Sequence, residues 1–380
     1  MPYKTFGFTE EQILMRDSIL GLLGRVLPDE MKLELDKTST FPEAAFKAIA
    51  ADGWLGLPIE AEYGGAEASN MDMAVFIEAM GYYHYGVRSA YMTTAIYGAS
   101  HLRFHASEAQ RKLMLPPLIA GELKMCIAYS EPDSGSDMAG IRTRAVRQGD
   151  NYVINGQKIY ITNAHVSDWM VVAAKTDPDA GRRGLSLFLV DSKSSGLTIR
   201  NMDPLGSRTS LPNEVFFDDV ELGEDALVGT EGGGWNQVTS ELAFERSGPE
   251  RIYSSILLLD GWLDYLKSQD HVSEASIILI GKFAAHLAVL RAMSLAITDQ
   301  LTKGESPANE AALVKDLGTE IEQAIPTLIA DALAAIPDAV VPDDLMKTLA
   351  YVTQMSPTFS LRGGTREILR GIIARGLGLR

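Results

Sequence analysis

The period of the apolar residues changes twice along this chain of 380 residues, and that change limits the folds it can adopt. From Thr9 to about Glu122 the apolar residues recur with the helical spacing of three to four positions. From about Cys126 the apolar runs become short and β-branched or aromatic, and glycine, asparagine or aspartate separates them. After Gly232-Gly233-Gly234 the helical period returns and continues to the C-terminus. We therefore expect helices, then strands, then helices.

The length indicates more than one domain, because a chain of this size exceeds one ordinary hydrophobic core. The expected class is α+β, with a helical domain over 1–124, an antiparallel barrel or sandwich over 125–231 and a second helical domain over 232–380. No strand-like run is followed by a helix, which disfavours a parallel doubly wound sheet. A Gly-x-Gly-x-x-Gly loop after a strand is also missing from the sequence, which disfavours a nicotinamide cofactor.

Local patterns predict where the elements lie. Thr9 and Gln12 have the spacing of a capping box, Pro42 can open a second helix, and a third is expected near Met71 to Met80. Asn155-Gly156 predicts a two-residue hairpin turn, because both residues tolerate positive φ. Strands are expected at 142–148, 152–155, 158–162, 169–175, 185–191 and 215–218. C-terminal helices are expected at 237–265, 273–303, 310–336, 345–353 and from about 365.

Charge and cysteine content narrow the functional classes. The net charge of -16 disfavours nucleic acid and anionic membrane surfaces as partners, because both attract basic proteins. Cys126 is the single cysteine, so an internal disulfide cannot form and a reducing compartment is expected. The N-terminus shows no basic stretch followed by an apolar core, and Lys282 and His286 interrupt the apolar run at 277–290. These features predict a soluble cytoplasmic protein without a membrane partner.

His101 and His105 are four residues apart, which places both on one helix face. Leu102 stands where a zinc protease motif requires glutamate. We therefore expect a packing or surface role for both histidines and no metal site.

Two motifs at 128–140 and 152–164, AYSEPDSGSDMAG and YVINGQKIYITNA, combine small polar residues with an aromatic residue and a hydroxyl at a strand end. Together with GWLGLPIEAEYGG at 53–65 and GTREILRGIIARGLGL at 364–379, they resemble the acyl-CoA dehydrogenase family over nearly the whole chain. The resemblance implies that the middle domain is an antiparallel β-barrel, that the C-terminal domain is a four-helix bundle, and that FAD is the cofactor. It also implies an acyl-CoA substrate and an electron-transfer flavoprotein as oxidant.

The same resemblance implies which residues contact the flavin. The first motif would line the ring and its linker, with Ser130 bonded to the ring and Ser136 near the pantetheine or a flavin phosphate. The second motif would cover the other side, and its Tyr160 stands where tryptophan is commoner in the family. The full implied set of cofactor contacts is Ile127, Tyr129, Ser130, Gly135, Ser136, Tyr160, Ile161, Thr162, Thr365 and Glu367.

The chemistry of the family requires a desolvated carboxylate with a raised pKa as base and hydrogen-bond donors for the developing enolate oxygen. Many members carry the base in a Tyr-Glu-Gly-Thr motif before the last helix. The matching stretch here is Arg362-Gly363-Gly364-Thr365, and Gly363 cannot transfer a proton. By resemblance, Gly363 could still bind the enolate oxygen through its backbone N–H.

A minority branch of the family, including isovaleryl- and long-chain acyl-CoA dehydrogenases, places the glutamate just before an arginine in the helix after the glycine-rich loop. The segment LAFERSG matches that register, since Arg246 lies eleven residues after Trp235. Glu245 is therefore the candidate catalytic base, and Arg246 joins Gly363 and Ser136 as a candidate substrate contact. The alternative is an exposed Glu-Arg pair on a helix surface. The neighbouring pair Glu250-Arg251 is out of register and is expected to be solvated.

Two family segments that a neighbouring subunit usually donates to FAD, Arg-x-x-Phe-Gly and Gln-x-x-Gly-Gly, are missing. No arginine or phenylalanine occurs from Leu263 to Lys282, and no glycine occurs from Thr319 to Arg362. We therefore expect an oligomer, and favour a heterotetramer in which a related subunit completes the FAD site over a homo-oligomer. Three alternatives stay open: a dehydrogenase of carrier-bound acyl groups, a non-catalytic supporting subunit, and an oxidase.

Overall fold

The computed structural model describes residues 7–81, 85–240, 246–336 and 340–379. These residues form two compact units. One unit contains residues 7–21, 69–81 and 246–379, and the other contains residues 22–68 and 85–240. The division into three domains at 124 and 231 stays a prediction.

Helices precede and follow the strands as the sequence predicts. The single helix predicted at 237–265 is wrong, because Gly248-Pro249 opens a short 3-10 helix at Pro249–Arg251 and the next α-helix begins only at Ile256. In chain order the α-helices are α1 (Glu10–Val26), α2 (Asp29–Lys37), α3 (Glu43–Ala51), α4 (Asn70–Gly81), α5 (Tyr85–Tyr91), α6 (Ala99–His105), α7 (Glu108–Ile119), α8 (Gly234–Ser240), α9 (Ile256–Lys267), α10 (Glu274–Thr302), α11 (Ala308–Ala334), α12 (Asp343–Met355) and α13 (Arg366–Gly376). A π-helical stretch, Met92–Gly98, joins α5 to α6.

The predicted helix starts are confirmed. The backbone N–H of Thr9 donates to Gln12 Oε1 at 3.1 Å, and the N–H of Gln12 donates to Thr9 Oγ1 at 3.2 Å, which is a complete capping box. Helix α3 begins directly after Pro42. Helix α2 was not predicted, because its apolar residues Met31, Leu33 and Leu35 alternate with period two instead of following the helical period.

One eight-stranded sheet lies in the second unit. Its strands are β1 (Met125–Ala128), β2 (Arg144–Gln148), β3 (Asn151–Lys158), β4 (Trp169–Lys175), β5 (Leu185–Asp191), β6 (Leu197–Asn201), β7 (Asn213–Leu222) and β8 (Leu227–Val228). The order is β6-β7-β3-β2-β4-β5-β8, and β1 pairs with β4. The pairings are antiparallel except those of β4 with β1 and with β2, which are parallel.

The predicted hairpin turn at Asn155-Gly156 is wrong. Gln148 pairs with Asn151, so the turn between β2 and β3 is Gly149-Asp150. Gly156 lies inside β3 at a shift in register against β7, which is a β-bulge. A Cβ atom at Gly156 would lie 2.4 Å from Thr143 Oγ1, so this glycine permits close packing of two backbones. The predicted strands at 152–155 and 158–162 are one strand that ends at Lys158.

Each unit has its own apolar core. In the helical unit the core centres on Trp262 and Phe283, whose rings pack edge to face at 6.4 Å between centroids. In the other unit, alternate residues of β4 enter different clusters, Val171 on one face and Val172 on the opposite face. The sheet is therefore covered on both faces, and this explains the continuous apolar run of β4.

Within the described residues, α10 is long and apolar enough to span a membrane. One such helix is weak evidence for a membrane protein. The same residues contain no group of three or more His, Cys, Asp or Glu side chains placed to hold a metal ion.

Candidate functional site

The two predicted flavin-facing motifs lie side by side in the sheet-bearing unit. The backbone N–H of Ile159, just after β3, donates to the carbonyl of Ser130 at 3.0 Å. Nζ of Lys158, the last residue of β3, donates to the carbonyl of Tyr129 at 2.9 Å and to Oε1 of Glu131 at 2.8 Å. The structure thus joins the first motif to the second through three consecutive residues, 129–131.

The buried carboxylate of Glu131 holds the turn formed by residues 129–136 through several hydrogen bonds. Its carboxylate accepts the backbone N–H of Thr143 at 3.0 Å and the N–H of Arg142, besides the Lys158 ammonium. Burial raises the pKa of Glu131, but the Lys158 charge and these hydrogen bonds outweigh burial and lower it. Burial lowers the pKa of Lys158 to about 8, although the Glu131 carboxylate opposes this shift. No sequence signal identified this pair, because a lone Glu and a lone Lys carry no motif.

The residues predicted to contact the flavin differ in exposure. Gly135, Ser136 and Tyr160 are exposed, and Tyr160 adopts a left-handed φ of 61° with 64% of its surface accessible. The half-buried members of the set are Ile127, Tyr129, Ser130 and Thr162. The side chain of Ile161 is buried in the sheet core, and its N–H donates to the Asn213 carbonyl at 3.0 Å. Among the three predicted contacts in the second motif, Tyr160 is therefore the most exposed and Ile161 the least.

His101 is hydrogen-bonded to the first motif through Tyr129. Its Nδ1 lies 2.8 Å from the carbonyl of Tyr97, so Nδ1 carries the proton, and Nε2 accepts a hydrogen bond from the Tyr129 hydroxyl. Burial lowers the pKa of His101 to about 4, so the imidazole is neutral at pH 7. The sequence predicted a packing or surface role for His101, and the structure buries it. Its link to Tyr129 could not be predicted from the spacing.

The glycine loop before α13 lies in the helical unit. Gly363 and Gly364 have φ of 67° and 99°, which a residue with a side chain adopts only with strain. Nε of Arg246 donates to the Gly363 carbonyl at 3.1 Å. A Cβ atom at Gly363 would lie 3.4 Å from Nη2 of Arg251 and 3.4 Å from Cε of Lys315. The structure therefore brings together Gly363 and Arg246, two of the predicted substrate contacts, beside buried Arg251 and Lys315. The prediction that Glu250-Arg251 is solvated is wrong, because both side chains are buried, with Arg251 Nε 3.3 Å from Glu250 Oε1.

Helix α11 holds both ends of this loop. Before the glycines, Nη2 of Arg362 donates to Oε2 of the buried Glu322 at 2.9 Å. After them, Nε of Arg366 donates to Oδ1 of Asp316 at 2.7 Å. Charged side chains on one helix thus fix where the loop begins and ends.

Thr365 occupies the N-cap position of α13, and no hydrogen bond from its side chain caps the helix. Glu367 is exposed, and its own backbone N–H together with the Thr365 hydroxyl lowers its pKa. Both residues border the loop, as the sequence predicted for the turn before the last helix. Glu245 lies outside the described residues, so the position of the predicted base stays a prediction.

Comparisons with known proteins agree with this architecture. Residues 9–122 match the N-terminal domain of acyl-CoA dehydrogenase, and residues 126–220 match the middle domain. The chain is 35% identical to cyclohex-1-ene-1-carbonyl-CoA dehydrogenase of Geobacter metallireducens over 78% of this chain and 76% of that protein. It is 28% identical to acyl-CoA dehydrogenase FadE29 of Mycobacterium tuberculosis over 96% of each chain.

A solved structure shows the same fold. The prolyl acyl carrier protein oxidase AnaB superposes with a TM-score of 0.90 and 23% identity, over 98% of this chain and all of that one. The paired motifs, the helix–strand–helix order and these similarities together show that the chain belongs to the acyl-CoA dehydrogenase family of FAD-dependent oxidoreductases.

Proposed function

We propose that this protein is an FAD-dependent acyl-CoA dehydrogenase that introduces an α,β double bond into an acyl-CoA thioester. Glu245 is the catalytic base, and an electron-transfer flavoprotein in the cytoplasm is the oxidant. The observation that carries the proposal is the junction of the two motifs. Ile159 bonds to Ser130, and the exposed ring of Tyr160 follows Ile159 directly in the chain.

The residues at this junction fit a flavin. An isoalloxazine ring has two flat faces and polar edges, and it needs an aromatic or apolar wall together with hydrogen-bond donors. Tyr160 supplies an exposed aromatic side chain, and the nearby residues Ser130 and Thr162, which carry hydroxyls, are half-buried. Ser136 and Gly135 lie on the exposed part of the turn, where a phosphate or pantetheine could reach them. When bound, FAD supplies the acceptor for the hydride that leaves the substrate.

The remaining chemistry falls to the residues of the chain. The carboxylate of Glu245 removes the proton from the carbon next to the thioester carbonyl. Negative charge then develops on the carbonyl oxygen, and the backbone N–H of Gly363 donates to it. Arg246 bonds to the Gly363 carbonyl at 3.1 Å, and it follows Glu245 directly in the chain. That carbonyl lies on the peptide after the one that carries this N–H, so Arg246 holds the loop on the other side of the Gly363 Cα. This link suggests why an arginine follows the base.

Replacement of the base tests the proposal. Glu245→Gln keeps the shape of the side chain and removes its basicity, so we expect turnover to fall at least ~100-fold while FAD stays bound. Glu305→Gln, at an exposed site, is the matched control. Turnover that is unchanged in Glu245→Gln would exclude this base and favour the alternative of a supporting subunit.

The form of the substrate needs a separate assay. The prolyl carrier protein oxidase shares only the fold at 23% identity, and an acyl group on a carrier protein is the second candidate substrate. The same acyl group should be offered on CoA and on a carrier protein, and we expect the CoA thioester to give the higher kcat/KM. A third arm, oxygen uptake without the flavoprotein acceptor, would reveal an oxidase.

We infer a heteromeric assembly for the complete enzyme. Helix α10 exposes Ile277, Ile278 and Val289 at 52–59% of their surface, and exposed apolar side chains on one helix suit burial against another subunit. The missing donor segments favour a related but different subunit. FAD absorbance per chain, measured for the protein alone and with the product of a neighbouring gene, tests this inference. Near-stoichiometric FAD in the isolated protein would overturn the heteromer.

A further inference from the structure

We propose that Lys158 and Glu131 are positioning residues of the cofactor site, and that their ion pair sets the register of the turn 129–136 against the segment 159–162. This proposal rests on the assignment of these two segments to FAD. It adds two residues that contact neither substrate nor cofactor in the proposed function.

Lys158 ties the two segments together at three adjacent points. Its Nζ reaches the Tyr129 carbonyl at 2.9 Å and Glu131 Oε1 at 2.8 Å, while the next residue bonds to the Ser130 carbonyl at 3.0 Å. Ser130 is therefore held between two bonds of the same lysine, and Tyr160 is two residues beyond that lysine. A change in the position of the Lys158 ammonium would move the Ser130 hydroxyl relative to the Tyr160 ring.

Glu131 connects the same turn to the start of β2. Its carboxylate accepts the N–H groups of Arg142 and Thr143 as well as the ammonium of Lys158. The Lys158 side chain has no exposed surface, and that of Glu131 is 7% exposed. The nearby pair of Arg142 and Asp133, 3.4 Å apart, is largely exposed and so contributes little to the position of the turn.

A purely structural role makes a different prediction from a positioning role. Apolar side chains of similar size can often replace a buried ion pair without loss of stability. Apolar side chains cannot accept the N–H groups of residues 142 and 143 or donate to the Tyr129 carbonyl, so they cannot hold the turn in one register. If the pair acts in positioning, its apolar replacement leaves a folded protein with an altered cofactor site.

The test compares three variants in the form of the protein that binds FAD. The double variant Lys158→Met with Glu131→Leu removes the pair, Glu131→Gln removes only its negative charge, and Glu224→Gln alters an exposed ion pair with Arg147 as control. FAD affinity, the visible spectrum of the bound flavin and the thermal midpoint are measured for each variant.

We expect the double variant to stay folded, with a midpoint lowered by the unpaired N–H groups of residues 142 and 143 but above that of Lys158→Met alone. It should bind FAD at least ~10-fold more weakly, a factor that corresponds to about 1.4 kcal/mol. Its flavin spectrum should also shift, which a merely structural pair would not cause. Unchanged affinity and spectrum in the folded double variant would overturn the proposal.

If the double variant does not fold, the Glu131→Gln variant tests the positioning role instead. Arg142 donates to Oε2 of Glu131 and Thr143 to Oε1, so the single amide oxygen of glutamine keeps an acceptor for only one of the two N–H groups. We expect a shifted flavin spectrum and FAD binding weakened ~3-fold or more. An unshifted spectrum with wild-type affinity would overturn the proposal. Failure of the proposed function would look different, because the wild type itself would then bind no FAD, or Glu245→Gln would turn over normally.

Discussion

The turn 129–136 and the glycine loop 362–365 are two parts of the predicted site with opposite construction. In the turn, one buried carboxylate and one buried ammonium neutralise each other, and neutral hydroxyls reach the surface. In the loop, two glycines expose the backbone, and the side chains of Arg246, Arg251 and Lys315 lie next to Gly363 or Gly364, with Arg251 paired to the buried Glu250 at 3.3 Å. The first construction suits an uncharged ring, and the second suits an oxygen that becomes negative.

The comparison shows that one chain can preorganise a site in two ways. The turn obtains its shape from hydrogen bonds that converge on Glu131, whereas the loop obtains its shape from two glycines with positive φ. We therefore expect a change of charge to disturb the turn more than the loop, and a change of backbone freedom to disturb the loop more than the turn.

The largest effect is expected from Lys158→Met. The variant leaves the Glu131 carboxylate buried without its cation, which should lower the free energy of unfolding by about 3–5 kcal/mol. Urea unfolding followed by circular dichroism measures this loss, and adding Glu131→Leu should recover most of it. A single variant as stable as the wild type would show that the turn does not depend on this charge.

A pH effect of similar size is expected at His101. Its pKa of about 4 in the folded protein lies below the usual 6.5, so its contribution to stability is complete above pH 6.5 and is lost as the pH falls through 4. Relative to His101→Gln, the wild type should lose roughly 3 kcal/mol between pH 7 and pH 4. Parallel stability curves for the two proteins would contradict the buried neutral imidazole.

A smaller effect is expected at the loop from Arg362→Met. The buried Glu322 keeps the N–H of Ser254 at 2.7 Å, just as Glu131 keeps two N–H groups in Lys158→Met. The two sites differ because the Arg362 side chain is 15% exposed and that of Lys158 is not exposed, so water can replace Arg362 more easily. We expect a loss of about 1–3 kcal/mol, less than for Lys158→Met. A larger loss than at Lys158 would reverse the comparison between the two regions.

The smallest change in stability is expected from Gly363→Ala. Its φ of 67° costs a side chain about 1 kcal/mol, and Gly149→Ala, with a φ of 65° and open space around it, should cost the same. The two variants should differ in activity, because Gly363→Ala disturbs the peptide that Arg246 holds, whereas Gly149 lies in the β2–β3 turn. Equal activity in both variants would exclude a role of the Gly363 peptide.

The regular elements and the ends of several helices could be predicted from local sequence. The capping box of α1 and the proline before α3 act within a few residues, so the chain needs no tertiary contact to specify them. The hairpin prediction failed for the opposite reason. Asn155-Gly156 and Gly149-Asp150 both tolerate a turn, and the pairing of β3 with β7 decides which one turns and which one bulges.

The sequence by itself determined the helix–strand–helix order, the two paired motifs and the loss of the usual base at Gly363, because period and residue identity carry that information directly. Only the tertiary structure decided that Lys158 meets Glu131, that His101 holds Tyr129 and that α11 anchors the glycine loop. These contacts join residues 27 to 50 positions apart. Polar side chains that far apart carry no periodic signal, and burial alone selects which of many possible partners they take.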